Sequence, residues 1–266
     1  MLGPDCNLKY QTTNGCDIIY KKVVLTLDKI EVFKQMVQNA KRIVFFGGAG
    51  VSTESGIPDF RSESGIFKSL EKYGDTPERL VSHSYYLEHT EEFFSYYKDC
   101  LIFPEAEPNS AHYALARLEK EGKLKAIITQ NIDGLHQKAG SKNVLELHGS
   151  VYRNYCEICK KKYNLDFILE SEGIPHCTCG GIIKPDVVLY EEALDMNILN
   201  KSAKYIMSAD TLIVGGTSLV VYPAAGLINY FKGKNLVLIN KSQTDYDNLA
   251  TLVINEAIGE TLAKIK

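Results

Sequence analysis

Four cysteines crowd into 24 residues: Cys156 and Cys159 form a C-x-x-C pair, and after 17 intervening residues Cys177 and Cys179 form a C-x-C pair ahead of Gly180-Gly181. Two close pairs across such a linker supply four thiolates for tetrahedral Zn2+. Four protein ligands leave no open position, so the spacing predicts a structural ion. His176 adjoins the second pair as a spare donor. A second constellation runs from Gly47 to Gly56 and holds Gly48, Ala49, Gly50 and Thr53. Its glycines let a backbone approach a pyrophosphate, and a following helix would favour the negative charge. After Gly48 and Gly50 the next glycine is Gly56, so the G-x-G-x-x-G spacing is only partly met. A tight turn and nothing more is the competing reading. Directly behind it, Ile57-Pro58-Asp59-Phe60-Arg61 reads either as a loop with a surface ion pair or as a lid bringing Arg61 to phosphate and Phe60 over a ring.

Gln130, Asn131, Ile132 and Asp133 follow an apolar run. The amides and the acid suit hydrogen bonds to ribose hydroxyls and a carboxamide, while Asn131 or Asp133 as a helix cap is the rival explanation. His148, before Gly149, is a candidate general base, and a structural histidine is the alternative. Val187 to Tyr190 is a β-prone run, either a connecting strand or an edge that pairs with an extended peptide. Gly215-Gly216-Thr217-Ser218 and Asn240-Lys241-Ser242 each follow a further apolar run.

These residues need a frame. Leu27 to Ala40 has helical apolar spacing, and Arg42 to Phe46 is a continuous apolar run. The alternation recurs: helix at 110–121 and strand at 126–129, helix at 198–208 and strand at 211–214, helix at 224–231 and strand at 235–239, then a closing helix at 256–264. Short runs without polar alternation suit strands buried on both faces, so the pattern predicts a doubly wound, Rossmann-like parallel α/β sheet. In such sheets ligands bind beyond the carboxyl ends of the strands, where the polar clusters above stand. Residues 62–105 and 153–184 break the alternation and read as insertions.

The chain has 266 residues, 45% apolar and 24% charged, which excludes a disordered or collagen-like protein. Formal charge is −3, so no basic field points to nucleic acid. Residues 211–231 carry no formal charge, but their glycines, Pro223 and Asn229 read as strand, loop and helix rather than a membrane span. Seven cysteines, an odd number, fit a reducing compartment and a cytoplasmic protein. The polar first 24 residues show no apolar secretory segment.

Taken in order, GAGVSTESGIPDFR (48–61), TQNIDGLH (129–136), LHG (147–149), the two cysteine pairs, KPDVVLYEE (184–192) and GGTSLVVYPAA (215–225) resemble the sirtuin family of NAD-dependent protein deacylases, bacterial type. The resemblance covers residues 27–266. It implies an N-terminal extension at 1–26, an NAD-binding Rossmann-like domain at 27–62, 106–152 and 185–266, a helical insertion at 63–105 and a zinc module at 153–184. It implies NAD as co-substrate, structural Zn2+ and acyl-lysine proteins or peptides as substrates.

Residue by residue, the resemblance sets Ala49, Thr53, Phe60 and Arg61, in the turn of Gly48 and Gly50, along the pyrophosphate and nicotinamide ribose. Gln130 would bond that ribose, Ile132 and Asp133 the carboxamide, and Asn131 would order the site. Thr217, Ser218, Asn240 and Ile258, beside Gly216, would surround adenosine. Val188 and Tyr190 would flank the acyl-lysine tunnel. His148 would deprotonate a ribose hydroxyl, so that the acyl group passes to ADP-ribose as nicotinamide departs. Protein ADP-ribosyl transfer at the same NAD site is the alternative. A hydride-transferring oxidoreductase and a zinc-ribbon nucleic-acid adaptor are weaker fits, set against the incomplete glycine motif and the net charge. The family often has Phe-Gly-Glu where this chain has Tyr190-Glu191-Glu192. Succinyl-removing members carry Tyr-x-x-Arg in the insertion, whereas Phe94-Ser95-Tyr96-Tyr97 stands here, with Arg79 and Lys98 as nearby cations. Acetyl-lysine is therefore expected over succinyl-lysine.

Overall fold

Ile43, Val44, Phe45 and Phe46 are all buried because they form the middle of a parallel sheet. The computed structural model describes residues 28–59 and 62–265. The expected extension at 1–26, Phe60 and Arg61 lie outside the described residues. Among those residues, strands β1 (Ile43–Gly47), β2 (Leu124–Thr129) and β3 (Val144–Glu146) join the sheet first. Strands β4 (Gly149–Cys156), β5 (Lys162–Tyr163) and β6 (Ile183–Val187) form a separate antiparallel sheet in the order β5-β4-β6. Strands β7 (Thr211–Gly215), β8 (Asn235–Ile239) and β9 (Leu252–Ile254) complete the first sheet in the order β3-β2-β1-β7-β8-β9. All its pairings are parallel, and Gly47 stands beside Thr129 and Gly215.

Alternate residues of each strand face opposite layers. Ile43, Phe45, Ile127, Ile213 and Val237 pack against helix α1 (Lys29–Asn39), helix α6 (Ser110–Lys120) and helix α10 (Ile258–Ala263). Val44, Phe46, Ile128, Leu212 and Val214 pack against helix α9 (Met196–Ser208) and the 3-10 segment Ala224–Tyr230. Asp28 caps α1 by accepting from Ile30 N–H, which sets the helix start two residues inside the apolar pattern. The expected helix at 224–231 is a 3-10 segment instead, with Gly226, a poor helix former, in its interior.

The insertion at 62–105 contains helix α2 (Glu63–Tyr73), α3 (Pro77–Leu80), α4 (His83–Glu88) and α5 (Thr90–Cys100). Leu80, Tyr86, Phe93, Phe94 and Tyr97 from this insertion share one core with Val151, Cys156, Ile183 and Val187 of the small sheet. Helix α8 (Leu165–Glu170) adds Leu165 and Ile168 to the same core. The two irregular stretches of sequence thus bury one common face. Helix α7 (Leu135–Lys138) follows β2 and adjoins the site.

Candidate functional site

Neighbours β1 and β7 lie where the strand order reverses, the place such sheets open a crevice beyond their carboxyl ends. The loops leaving them touch backbone to backbone. Gly50 N–H donates to the Gly216 carbonyl at 2.8 Å. A Cβ on Gly50 would stand 2.7 Å from Gly216 Cα, and one on Gly216, at φ +61°, would stand 2.4 Å from Val51 N. These glycines therefore close one loop on the other. The helix expected after the turn is replaced by two one-turn 3-10 segments, Ala49–Val51 and Thr53–Ser55, because Gly56 reverses the chain at φ +83°.

A cleft of about 300 Å³ opens there, walled by Gly50, Thr53, Gly216, Thr217, Ser218, Asn240 and Ile258. Glu54, Gln243, Thr244 and Glu256 line it too, and sequence reasoning had not singled them out. Gly48 backs onto Thr217, where a Cβ would stand 3.0 Å away, and Ala49 starts the first 3-10 turn. Asn240 accepts from Thr217 N–H at 3.0 Å, while its buried side-chain N–H2 has no partner among the described residues. A buried donor left open costs stability unless a ligand acceptor meets it, so the wall fits a nucleotide.

Gln130 connects this cleft to the histidine. Its backbone N–H donates to the Gly47 carbonyl, and its side-chain N–H2 donates to Thr217 Oγ1 at 3.1 Å. Its carbonyl lies 2.9 Å from His148 Nδ1. A carbonyl only accepts, so Nδ1 carries the proton, and in the neutral ring Nε2 carries the lone pair, the state a general base requires. Glu146, two residues earlier, is fixed by Gln137 at 2.7 Å and by Arg153, which also reaches Asp186. Gly149 has φ +79°, and a Cβ there would stand 1.9 Å from the Asp186 carbonyl, so only glycine lets this corner lie on β6.

Ser52 is buried and joins the next cluster. Its hydroxyl donates to Asp133 Oδ2 at 2.6 Å and accepts from Asn131 Nδ2 at 3.0 Å. Asp133 Oδ1 also accepts from Leu135 N–H at the start of α7, as the capping reading expects of this side chain. Burial raises the Asp133 carboxyl above its ordinary range, against the pull of Ser52 and Leu135. Ile132 accepts from Val151 N–H through its carbonyl and packs on the small core. His136 is buried against His112 and Phe45 with neither ring nitrogen hydrogen-bonded among the described residues, so it is a core side chain.

Val188 N–H donates to the His148 carbonyl at 3.0 Å, which ties the expected acyl strand to the candidate base. Tyr190 bridges in parallel to Ser82: its N–H donates to the Val81 carbonyl, and its own carbonyl accepts from His83 N–H. Burial pushes the Glu192 carboxyl up, but Leu189 N–H, Lys184 and His83 outweigh it and hold it below its ordinary range.

The Cys156, Cys159, Cys177 and Cys179 Sγ atoms lie within 4.8 Å of one another. Cys156 and Cys179 sulfurs are 3.4 Å apart, and those of Cys159 and Cys177 3.6 Å. Tetrahedral zinc with about 2.3 Å bonds needs sulfurs roughly 3.8 Å apart, so the donor set fits. His176 is exposed and outside this group. The Cys179 N–H and the Tyr163 hydroxyl, 2.9 Å from Sγ, hold the Cys177 thiol down to about 6.

The Sir2 family model matches residues 48–223, a span running from the glycine turn through His148 and all four clustered cysteines. The chain belongs to the Sir2 family. An NAD-dependent protein deacetylase of Clostridium perfringens is 65% identical over 240 residues, covering 90% of this chain and 98% of that protein. One of Clostridium acetobutylicum is 61% identical over 244 residues, 91% of this chain and all of that protein. A Sir2 structure with a deacetylated p53 peptide and 3'-O-acetyl ADP ribose has a TM-score of 0.81 at 40% identity and covers 90% of this chain and 97% of that one.

In this Sir2 chain the folded frame brings together the β1 turn, the β7 and β8 loops, Gln130 to Asp133 and His148. Ser52 is a further residue that sequence reasoning missed. It was visible in the GAGVS string, but its partners lie 79 and 81 residues on, and only the fold supplies them.

Proposed function

We propose that this chain is an NAD-dependent protein-lysine deacetylase that moves the acyl group to ADP-ribose and releases nicotinamide. The observation that carries the reading is the double attachment of His148: its ring faces the Gln130 carbonyl on the nucleotide side, and its own carbonyl holds Val188 on the acyl side. Bound NAD supplies a ribose carbon that turns electrophilic as nicotinamide leaves, which a weakly nucleophilic amide oxygen needs. Gly48, Ala49, Gly50 and Thr53, with Phe60 and Arg61, would hold the phosphates and nicotinamide ribose. Thr217, Ser218, Asn240 and Ile258 would hold adenosine beside Gly216. Gln130 would orient the ribose, Ile132 and Asp133 the carboxamide, and the Ser52 bonds keep Asn131 and Asp133 in register. His148 Nε2 takes the ribose hydroxyl proton. Val188 and Tyr190 steer the acyl-lysine to it and exclude water.

Cys156, Cys159, Cys177 and Cys179 hold structural Zn2+ away from this chemistry. The cytoplasm is the proposed location, in keeping with the unpaired cysteines among the described residues, and nucleic acid is not a partner in this reading. No described helix is long and apolar enough to cross a membrane.

Mass spectrometry of an acetyl-lysine peptide with and without NAD tests the proposal. The expected result is loss of acetyl only with NAD, with one nicotinamide per acetyl removed. Deacetylation without NAD would sink it, and an ADP-ribose mass gain on the peptide would report the transferase alternative instead.

A further inference from the structure

Glu191 has φ +74°, a left-handed conformation that costs a side chain with a Cβ and is ordinarily left to glycine. Its carboxylate explains why this chain keeps a glutamate there. Oε2 accepts from Ser84 N–H at 2.9 Å and Oε1 from the Ser84 hydroxyl at 3.0 Å. Ser84 lies in the first turn of α4, where backbone N–H groups lack helical partners and favour negative charge. The neighbouring contacts run between the same two segments: Tyr190 with Val81 and His83 through the backbone, and Glu192 Oε1 with His83 Nδ1 at 2.9 Å. On its other side the 188–192 segment is anchored to His148 through Val188. The corner at Val81–Ser84 is thus located relative to His148 through this segment, and Glu191 contributes two of its contacts.

We propose that Glu191 is a positioning residue that clamps the helical insertion onto the acyl-lysine strand, so that the peptide channel stands open at the right width before substrate arrives. The proposal rests on the reading that Val188 and Tyr190 flank the acyl-lysine. Both Glu191 and Ser84 are exposed, so water competes for the clamp and its effect is modest. Glu191→Gly removes the carboxylate and relieves the backbone together, so it should fold. It should raise KM for an acetyl-lysine peptide about fivefold, equivalent to about 1 kcal/mol. KM for NAD and kcat should stay within about twofold of the parent. Ser84→Ala should give part of the same rise, and the double variant should not exceed Glu191→Gly alone. Glu191→Gln keeps one acceptor oxygen and should restore most of the peptide affinity.

Amide hydrogen exchange of the NAD-free protein supplies a readout independent of activity: Glu191→Gly should speed exchange at Ser84 and through α4. Unchanged exchange there, unchanged peptide KM, or an equal rise in KM for NAD would each overturn the clamp. A parent protein that fails to deacetylate would overturn the functional reading, whereas the exchange result would still decide whether the clamp exists.

Discussion

The parallel sheet and the cysteine-bearing region both assemble residues from distant parts of the chain, but by different means. In the sheet, strands buried on both faces form the frame, and the loops at their ends are held by backbone contacts such as Gly50 to Gly216 and Gln130 to Gly47. In the smaller region, two insertions contribute to one core, and two of the four clustered cysteines, Cys156 and Cys177, are buried within it. One region is stabilised by its own layers. The other adds to its core four sulfurs placed where one metal ion could cross-link them. The chemistry proposed for His148 lies along the seam, where His148 and Gly149 leave the first region and begin the second.

Removing zinc tests that contrast most severely. Structural zinc binding is worth about 10–16 kcal/mol in small zinc peptides, comparable to the whole stability of a domain, so a strong chelator should abolish activity by unfolding the small region. Far-UV circular dichroism should show much of the sheet-and-helix signal surviving, and metal analysis should find one zinc per chain. Fully active protein without zinc would erase the distinction.

His148→Ala should leave both regions folded and lower kcat by about 10²–10⁴-fold, the usual cost of losing a general base. An unchanged melting curve with lost turnover sharpens the comparison, and near-parental turnover at neutral pH would refute the assignment.

Gly149→Ala attacks the seam itself. Its Cβ meets the Asp186 carbonyl at a left-handed φ, so β4 and β6 must separate. A cost of about 1–3 kcal/mol should lower Tm by roughly 3–10 °C, with a larger proportional loss of activity. A parental Tm would show that the corner yields freely.

A fourth test concerns the acyl group. Phe94 is buried edge-on to Phe93 and Tyr86, and Tyr97 is buried in the same core. Arg79 pairs with Asp75, and Lys98 donates to the Ser171 and Gly173 carbonyls, so both nearby cations are engaged. Burying an unpaired carboxylate costs several kcal/mol, so kcat/KM on one peptide should favour acetyl over succinyl. A tenfold preference for succinyl would mean that the tunnel lies elsewhere.

The smallest effect is expected inside the sheet's own core. Burial lowers His112 from its ordinary 6.5 to about 4 and His136 well below its ordinary value. The unfolded chain therefore binds more protons than the folded one over that window. This contribution to stability is full above pH 6.5 and is lost as pH falls toward 4. His136→Leu should keep turnover at pH 8 within about twofold and flatten the fall of the urea midpoint between pH 7 and 5. An unaltered slope would remove His136 from the acid response.

The strands that centre the sheet were legible because a strand buried on both faces has no polar alternation, as Ile43 to Phe46 and Leu236 to Ile239 show. Three-residue β9 has too little length to show a pattern and escaped notice. Helices α3 and α4, of four and six residues, do not complete two turns, so their apolar spacing reads as weak periodicity. The motif residues were legible by type and order, but not how they join: nothing in the sequence places Gln130 between Thr217 and His148, or gives Glu191 a left-handed backbone satisfied by Ser84.

Strand order also bears on how the chain emerges during synthesis. β1 is the first strand made among the described residues, yet it ends in the interior of the sheet, with β2 on one side and β7 on the other. β2 ends at Thr129 and β7 at Gly215, 86 residues later. At about 5–20 residues per second, the second edge of β1 waits roughly 4–17 s for its partner after the first is available. During that interval the β7-facing side of Ile43 to Phe46 would present unpaired backbone N–H and C=O groups on a tethered nascent chain, the kind of strand edge that neighbouring nascent chains can pair with.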